Sequence, residues 1–81
     1  MSKRKCDIAV GQRAYAELMR LFPNYSSYKL GALCGCERKT ITAWRDGESP
    51  SAIFLIRMHY LGADILWILT GERSATHKQT M

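Results

Sequence analysis

A chain of 81 residues supports one domain with one modest core, and a hydrophobic content of 47% argues against a wholly disordered segment. The formal net charge of +5, from 12 Lys and Arg against 7 Asp and Glu, points towards a polyanionic partner without specifying one. Nowhere do about 18 apolar residues follow one another, which excludes a membrane-spanning helix. The basic opening also lacks the apolar core of a secretory signal, because Gln12 and Arg13 interrupt it, so a cytoplasmic location and no membrane partner are expected.

With two prolines, few β-branched runs and no hairpin signature, the pattern predicts an all-α fold of five helices. Residues 1–7 read as a basic arm carrying Lys3, Arg4 and Lys5, residues 8–71 as the folded domain, and residues 72–81 as a polar tail without periodicity. The first helix is expected over residues 8–22. There Ala14, Leu18, Leu21 and Phe22 recur at three and four, with Tyr15 and Met19 alongside, until Pro23 stops the run. Gly11 leaves the start of that helix open.

Ser26 is a natural N-cap for a second helix whose buried side is Leu30, Leu33 and Cys34, and Gly35 supplies a left-handed C-terminal residue. A turn of about three residues leads to a third helix, about residues 37–45, with Glu37 as an imperfect cap and Ile41 and Trp44 inward. Such a short turn makes the two helices cross steeply, and Gly31 provides the small residue needed where they meet. After the loop "DGESPS", Ser51 or Ser49 caps a fourth helix with a broad apolar face of Ile53, Leu55, Ile56, Tyr60 and Leu61. Asp64 then caps the short, almost wholly apolar "ILWILTG", closed by Gly71.

Three cysteines cannot all pair, and Cys34-Gly35-Cys36 lacks a second ligand pair at zinc-site spacing. Free thiols, no metal and no cofactor are therefore expected. No Ser/His/Asp or Cys/His set, carboxylate pair or phosphate loop assembles, so the chain is not expected to be an enzyme, and no small-molecule ligand is expected. The anomaly is electrostatic: Arg38 and Lys39 fall in the first turn of the third helix, where the macrodipole favours acids. Cations on the unfavourable end of a helix are candidates for contact with something outside the protein.

The pattern Leu30, Gly31, Gly35, Ile41, Trp44 resembles the helix-turn-helix of the lambda-repressor and Cro (XRE-type) family, and "MHYLGADILWILTGE" is similar to the helix-four-to-five junction of its phage-repressor members. The resemblance spans roughly residues 12–72. It implies a five-helix lambda-repressor-like DNA-binding domain acting on double-stranded, palindromic operator DNA as a homodimer, in the manner of a small phage or prophage repressor. Carried over position by position, the base-reading residues are Arg38, Lys39 and Thr42, with Ala43 against thymine methyl groups or bases. Ser26 and Ser27 correspond to the phosphate-holding start of the second helix, and Lys29, Thr40, Arg45, Ser49 and Ser51 are further phosphate candidates. Lys3, Arg4 and Lys5 resemble, by charge, the arms that reach around DNA.

For the dimer seam the segment "ILWIL" is the choice, through Ile65, Trp67 and Ile68, with a core role for Trp67 and Ile68 as the alternative. Tyr25 and Tyr28 either border the phosphate backbone or pack the start of the second helix. Two other functions fit the same fold. One is the antitoxin subunit of a toxin-antitoxin pair, which regulates its own synthesis through DNA. The other is a protein-interaction module that no longer binds DNA; it would favour acidic or apolar residues at 38, 39 and 42.

Overall fold

Short apolar-periodic segments, each bounded by a cap, a glycine or a proline, set the architecture. The computed structural model describes residues 5–73, with side chains from residue 9 onward, and all regular structure among these residues is helical. The elements are α1 (Lys5–Leu21), α2 (Ser27–Cys34), α3 (Arg38–Arg45), α4 (Ala52–Tyr60) and α5 (Ile65–Thr70). No described helix is long and apolar enough to cross a membrane.

Helix α1 begins three residues before the expected boundary, so residues 5–7 belong to the helix and not to an arm. Gly11 does not delay its start. It serves a close approach instead: a Cβ at this position would run into the carbonyl of Glu48 and lie 2.9 Å from that of Trp44. The N-terminal half of α1 therefore lies directly on the C-terminal end of α3 and the loop after it.

The start of α2 is as expected, with the Ser26 hydroxyl accepting a hydrogen bond from the Lys29 amide at 3.2 Å. Its end is set by Gly35, whose φ of 77° lies in the left-handed region. One turn earlier, a Cβ on Gly31 would come 2.6 Å from the Cys36 carbonyl oxygen, so the backbone entering α3 passes over a bare α-carbon of α2. Helix α3 is thus gripped at both ends by glycine. Its inward residues, Ile41 and Trp44, join Ala14, Leu18, Leu30, Cys34, Met58, Ala63 and Ile68 in the buried core. Trp44 meets Phe54 edge to face, with ring centroids 5.5 Å apart.

The face of α4 differs from the expected one. Met58 is its fully buried residue, with Phe54, Leu55 and Leu61 partly buried, while Ile53, Ile56 and Tyr60 face outward. A helix apolar almost all round gives no polar side to orient it, so the packing partner decides. Arg57 completes the attachment by donating from Nη1 to the Cys34 carbonyl at 2.9 Å, which satisfies the end of α2.

Within the core lies a carboxylate. Glu17 of α1 is 1% exposed; it accepts two hydrogen bonds from Arg20, at 2.7 and 2.9 Å, one from the Asp64 amide at 2.7 Å and one from Arg73 at 3.1 Å. Asp64 in turn caps α5 by accepting from the Trp67 amide. Arg73, expected in the tail, is held by Glu17 and lies with its guanidinium 4.3 Å from the Trp67 ring centroid. From α1, Arg13 donates to the Ile68 and Leu69 carbonyls at the end of α5. These contacts bind α1 to the α4–α5 corner. Residues 1–4 and 74–81, including Lys3 and Arg4, lie outside the described residues.

Burial by itself would raise the Glu17 pKa, but the hydrogen bonds from Arg20, the Asp64 amide and Arg73 outweigh it and hold the group at about 2, against an ordinary 4.5. A folded-state value below the unfolded one gives stability that is complete above about pH 4.5 and is lost as pH falls towards 2. The contribution is on the order of 3 kcal/mol. Urea unfolding should therefore show a steep loss of stability across this window, and Glu17→Gln should be less stable at pH 7 and flatter below pH 4.5. At the turn, Gly35→Val forces a side chain into the left-handed region, with its Cβ 2.6 Å from the Arg57 guanidinium. It should lower stability by about 1 kcal/mol or more, read from thermal unfolding.

Candidate nucleic-acid interface

The residues expected to meet DNA divide between the two ends of α3. At its N-terminal end, Arg38 and Lys39 are exposed, with the Lys39 side chain 83% accessible. Both stay in solvent, while Ile41 and Trp44 fill the inward positions of the same helix. Glu37 precedes them as an N-cap without a side-chain capping bond; its carboxylate lies 3.4 Å from the Lys39 ammonium, a loose pair with both partners in solvent. The first turn of α3 therefore keeps open amides and carries two cations.

Behind this turn lies the start of α2. Tyr28, Ala32, Cys36, Glu37, Arg38 and Lys39 line one open groove of ≈ 680 Å³ between the two helices. Ser26 and Ser27 stand at the α2 end of this region, with the Ser26 hydroxyl engaged as the helix cap. Lys29 is exposed, its ammonium 5.6 Å from the centre of the Tyr25 ring. Tyr25 also packs on Phe22 at 5.2 Å, so it belongs to the junction between α1 and α2.

Farther along α3, Thr42 and Ala43 are half-buried, and the Thr42 hydroxyl donates to the Lys39 carbonyl at 3.0 Å. Its proton is engaged in the helix, so the hydroxyl can act towards another group only as an acceptor. Thr40 is half-buried too. Arg45 ends α3, with Nε 3.5 Å from Asp46 Oδ1. Ser49 and Ser51 are exposed in the following loop, where Ser51 is the N-cap of α4 without a side-chain capping bond. An eight-residue helix is about 12 Å long, so these groups sit well away from the Arg38 end. Arg38 and Lys39 share the groove with Tyr28 of α2, whereas Arg45 stands at the opposite end of α3.

The seam residues separate as well. Ile68 is fully buried in the protomer's own core and does not reach a second surface. This corrects its place in the expected seam: α5 packs on α1, and Ile68 belongs to the core cluster. Trp67 is half-buried beside Arg73, and the outward side chains of α5 are Leu66 and Leu69. Ile65 lines a second groove of ≈ 480 Å³ with Leu55, Ile56, His59 and Tyr60.

Cys34 and Cys36 are free thiols, Cys34 within the core and Cys36 packed against it. Cys34 is fully buried and its thiol is pushed up to about 11 by burial, with Cys36 adding to the shift and Arg57 opposing it. Burial likewise raises Cys36. Among the described residues no three His, Cys, Asp or Glu side chains are grouped as metal ligands.

Compared with protein-family models, curated proteins and solved structures, the chain has no match. The functional reading therefore rests on geometry and charge. A raised pKa and full burial predict that Cys34 in the folded protein reacts with iodoacetamide at pH 8 at least about tenfold more slowly than in the unfolded chain, as measured by peptide mapping.

Proposed function

We propose that this protein is a sequence-specific, double-stranded DNA-binding regulator of the Cro-like repressor kind, which presents α3 to the major groove. The observation that carries the reading is the exposed Arg38–Lys39 pair on the first turn of a helix whose far side is locked into the core. Placed at the positive end of the macrodipole, these cations do not stabilise the free helix, and a polyanion gives them a partner. Arg38 has the planar fork suited to guanine O6 and N7, whereas Lys39 is a point donor. Ser26, Ser27 and Lys29 flank the same region at the start of α2, where amides and a cation suit a phosphate. Arg45, Ser49 and Ser51 suit a second phosphate contact from the far end of α3.

One α3 covers about half a turn of duplex, so high specificity calls for two copies on a palindromic site with half-site centres about 34 Å apart. The second copy is assigned to the groove of Leu55, Ile56, His59, Tyr60 and Ile65, where Tyr60 and Ile56 are strongly exposed.

The test is selection of bound sequences from random duplexes, followed by binding of variants to the selected and to random DNA over a salt series. The selected site should be a palindrome. Arg38→Ala should lose about 1–3 kcal/mol on that site and much less on random DNA, with Lys39→Ala weaker in the same sense. Lys29→Ala should weaken both DNAs together and reduce the salt slope by about 0.9. Equal losses on both DNAs for Arg38→Ala would reduce its role to holding phosphate.

A further inference from the structure

Two tyrosines flank the start of α2, and their surroundings differ. Tyr25 stacks on Phe22 and lies under Lys29. Tyr28 is 74% exposed, and among the described residues its ring and hydroxyl have no hydrogen-bond, ring or cation–π partner. An aromatic ring left this open adds little to the free protein, since the gain from an aromatic side chain comes from the area it buries.

Its position sets it beside two cations. Tyr28 and Ala32 are one helical turn apart, on the same face of α2. With Cys36 they form an apolar wall of the ≈ 680 Å³ groove, and Arg38 and Lys39 stand on the α3 side, together with Glu37, whose carboxylate lies 3.4 Å from the Lys39 ammonium. A ring, a methyl group and a thiol facing two cations match the edge of a base that is apolar at one point and borne on an anionic strand. Among the four bases, thymine alone presents a methyl group in the major groove.

Building on the DNA-binding reading above, we propose that Tyr28 is a specificity-determining residue, taking the C5-methyl group of a thymine against its ring while Arg38 and Lys39 engage the neighbouring positions. The specificity of the interface is then set by α2 as well as by α3. Ala32 and Cys36 complete the seat, and their small size leaves room for the methyl group.

The experiment uses the site that the wild-type protein selects from random duplexes and replaces its thymines, one at a time, with deoxyuridine, which removes only the methyl group. One replacement per half-site should weaken wild-type binding by about three- to tenfold. Tyr28→Ala should bind the thymine and deoxyuridine sites equally, and Tyr28→Phe, which keeps the ring, should retain the wild-type response. Unchanged thermal unfolding of both variants accompanies these results, as an exposed side chain requires. The inference is overturned if no deoxyuridine replacement affects wild-type binding, or if Tyr28→Ala responds as the wild type does. In either case Arg38→Ala still reports on the DNA-binding reading by itself. A wild-type protein that selects no duplex overturns both.

Discussion

Two bare α-carbons hold the third helix. Gly11 of α1 lies against the Trp44 and Glu48 carbonyls at one end of α3, and Gly31 of α2 lies against the Cys36 carbonyl at the other. In both places main chain meets main chain, at distances that admit no methyl group. This constraint sets the height and direction of α3 without using any side chain on its outward face. Ile41 and Trp44 then fix its rotation by filling the core beneath. Arg57 closes the arrangement from α4 by holding the carbonyl at the end of α2.

Among the described residues the cationic side chains fall into two populations, which the net value of +5 does not distinguish. Arg13, Arg20, Arg57 and Arg73 are turned to carbonyls or to the Glu17 carboxylate and act as internal fasteners. Lys29, Arg38, Lys39 and Arg45 face solvent, and their contacts are long or loose. A guanidinium suits the first task because its fork bridges two acceptors, as Arg20 does on Glu17 and Arg13 does on α5. The outward population, at the start of α2 and along α3, is what makes the proposed DNA contact physically reasonable. It is a local property and not one of overall basicity.

Local punctuation was the legible part of the fold. Ser26, Gly35, Asp64 and Gly71 act within a few residues of themselves, so the chain around each is enough to place it. The exposure of Arg38 and Lys39 was legible for the same reason, once Ile41 and Trp44 had been assigned inward. What escaped depended on distant partners. Glu17 occupies a core spacing between Ala14 and Leu21, a signal present in the pattern, but Arg73, which completes its partners, is 56 positions away. Gly11 leaves the start of α1 open in sequence because its counterpart, the carbonyl of Glu48, is far along the chain. The face of α4 was ambiguous because apolar residues surround it, and only the position of α2 and α5 selects Met58. Tyr28 and Tyr25 are alike in sequence and separate only when Phe22 is seen to cover one of them.

Because α3 is positioned through backbone contacts and two inward side chains, its outward residues are released from any duty to the fold. Positions 38, 39 and 45 are free to drift in chemistry while 11, 31, 41 and 44 stay fixed. Under the proposed DNA-binding reading, shape and preference are therefore separable: single substitutions at these outward positions would change what is recognised and leave stability nearly unchanged.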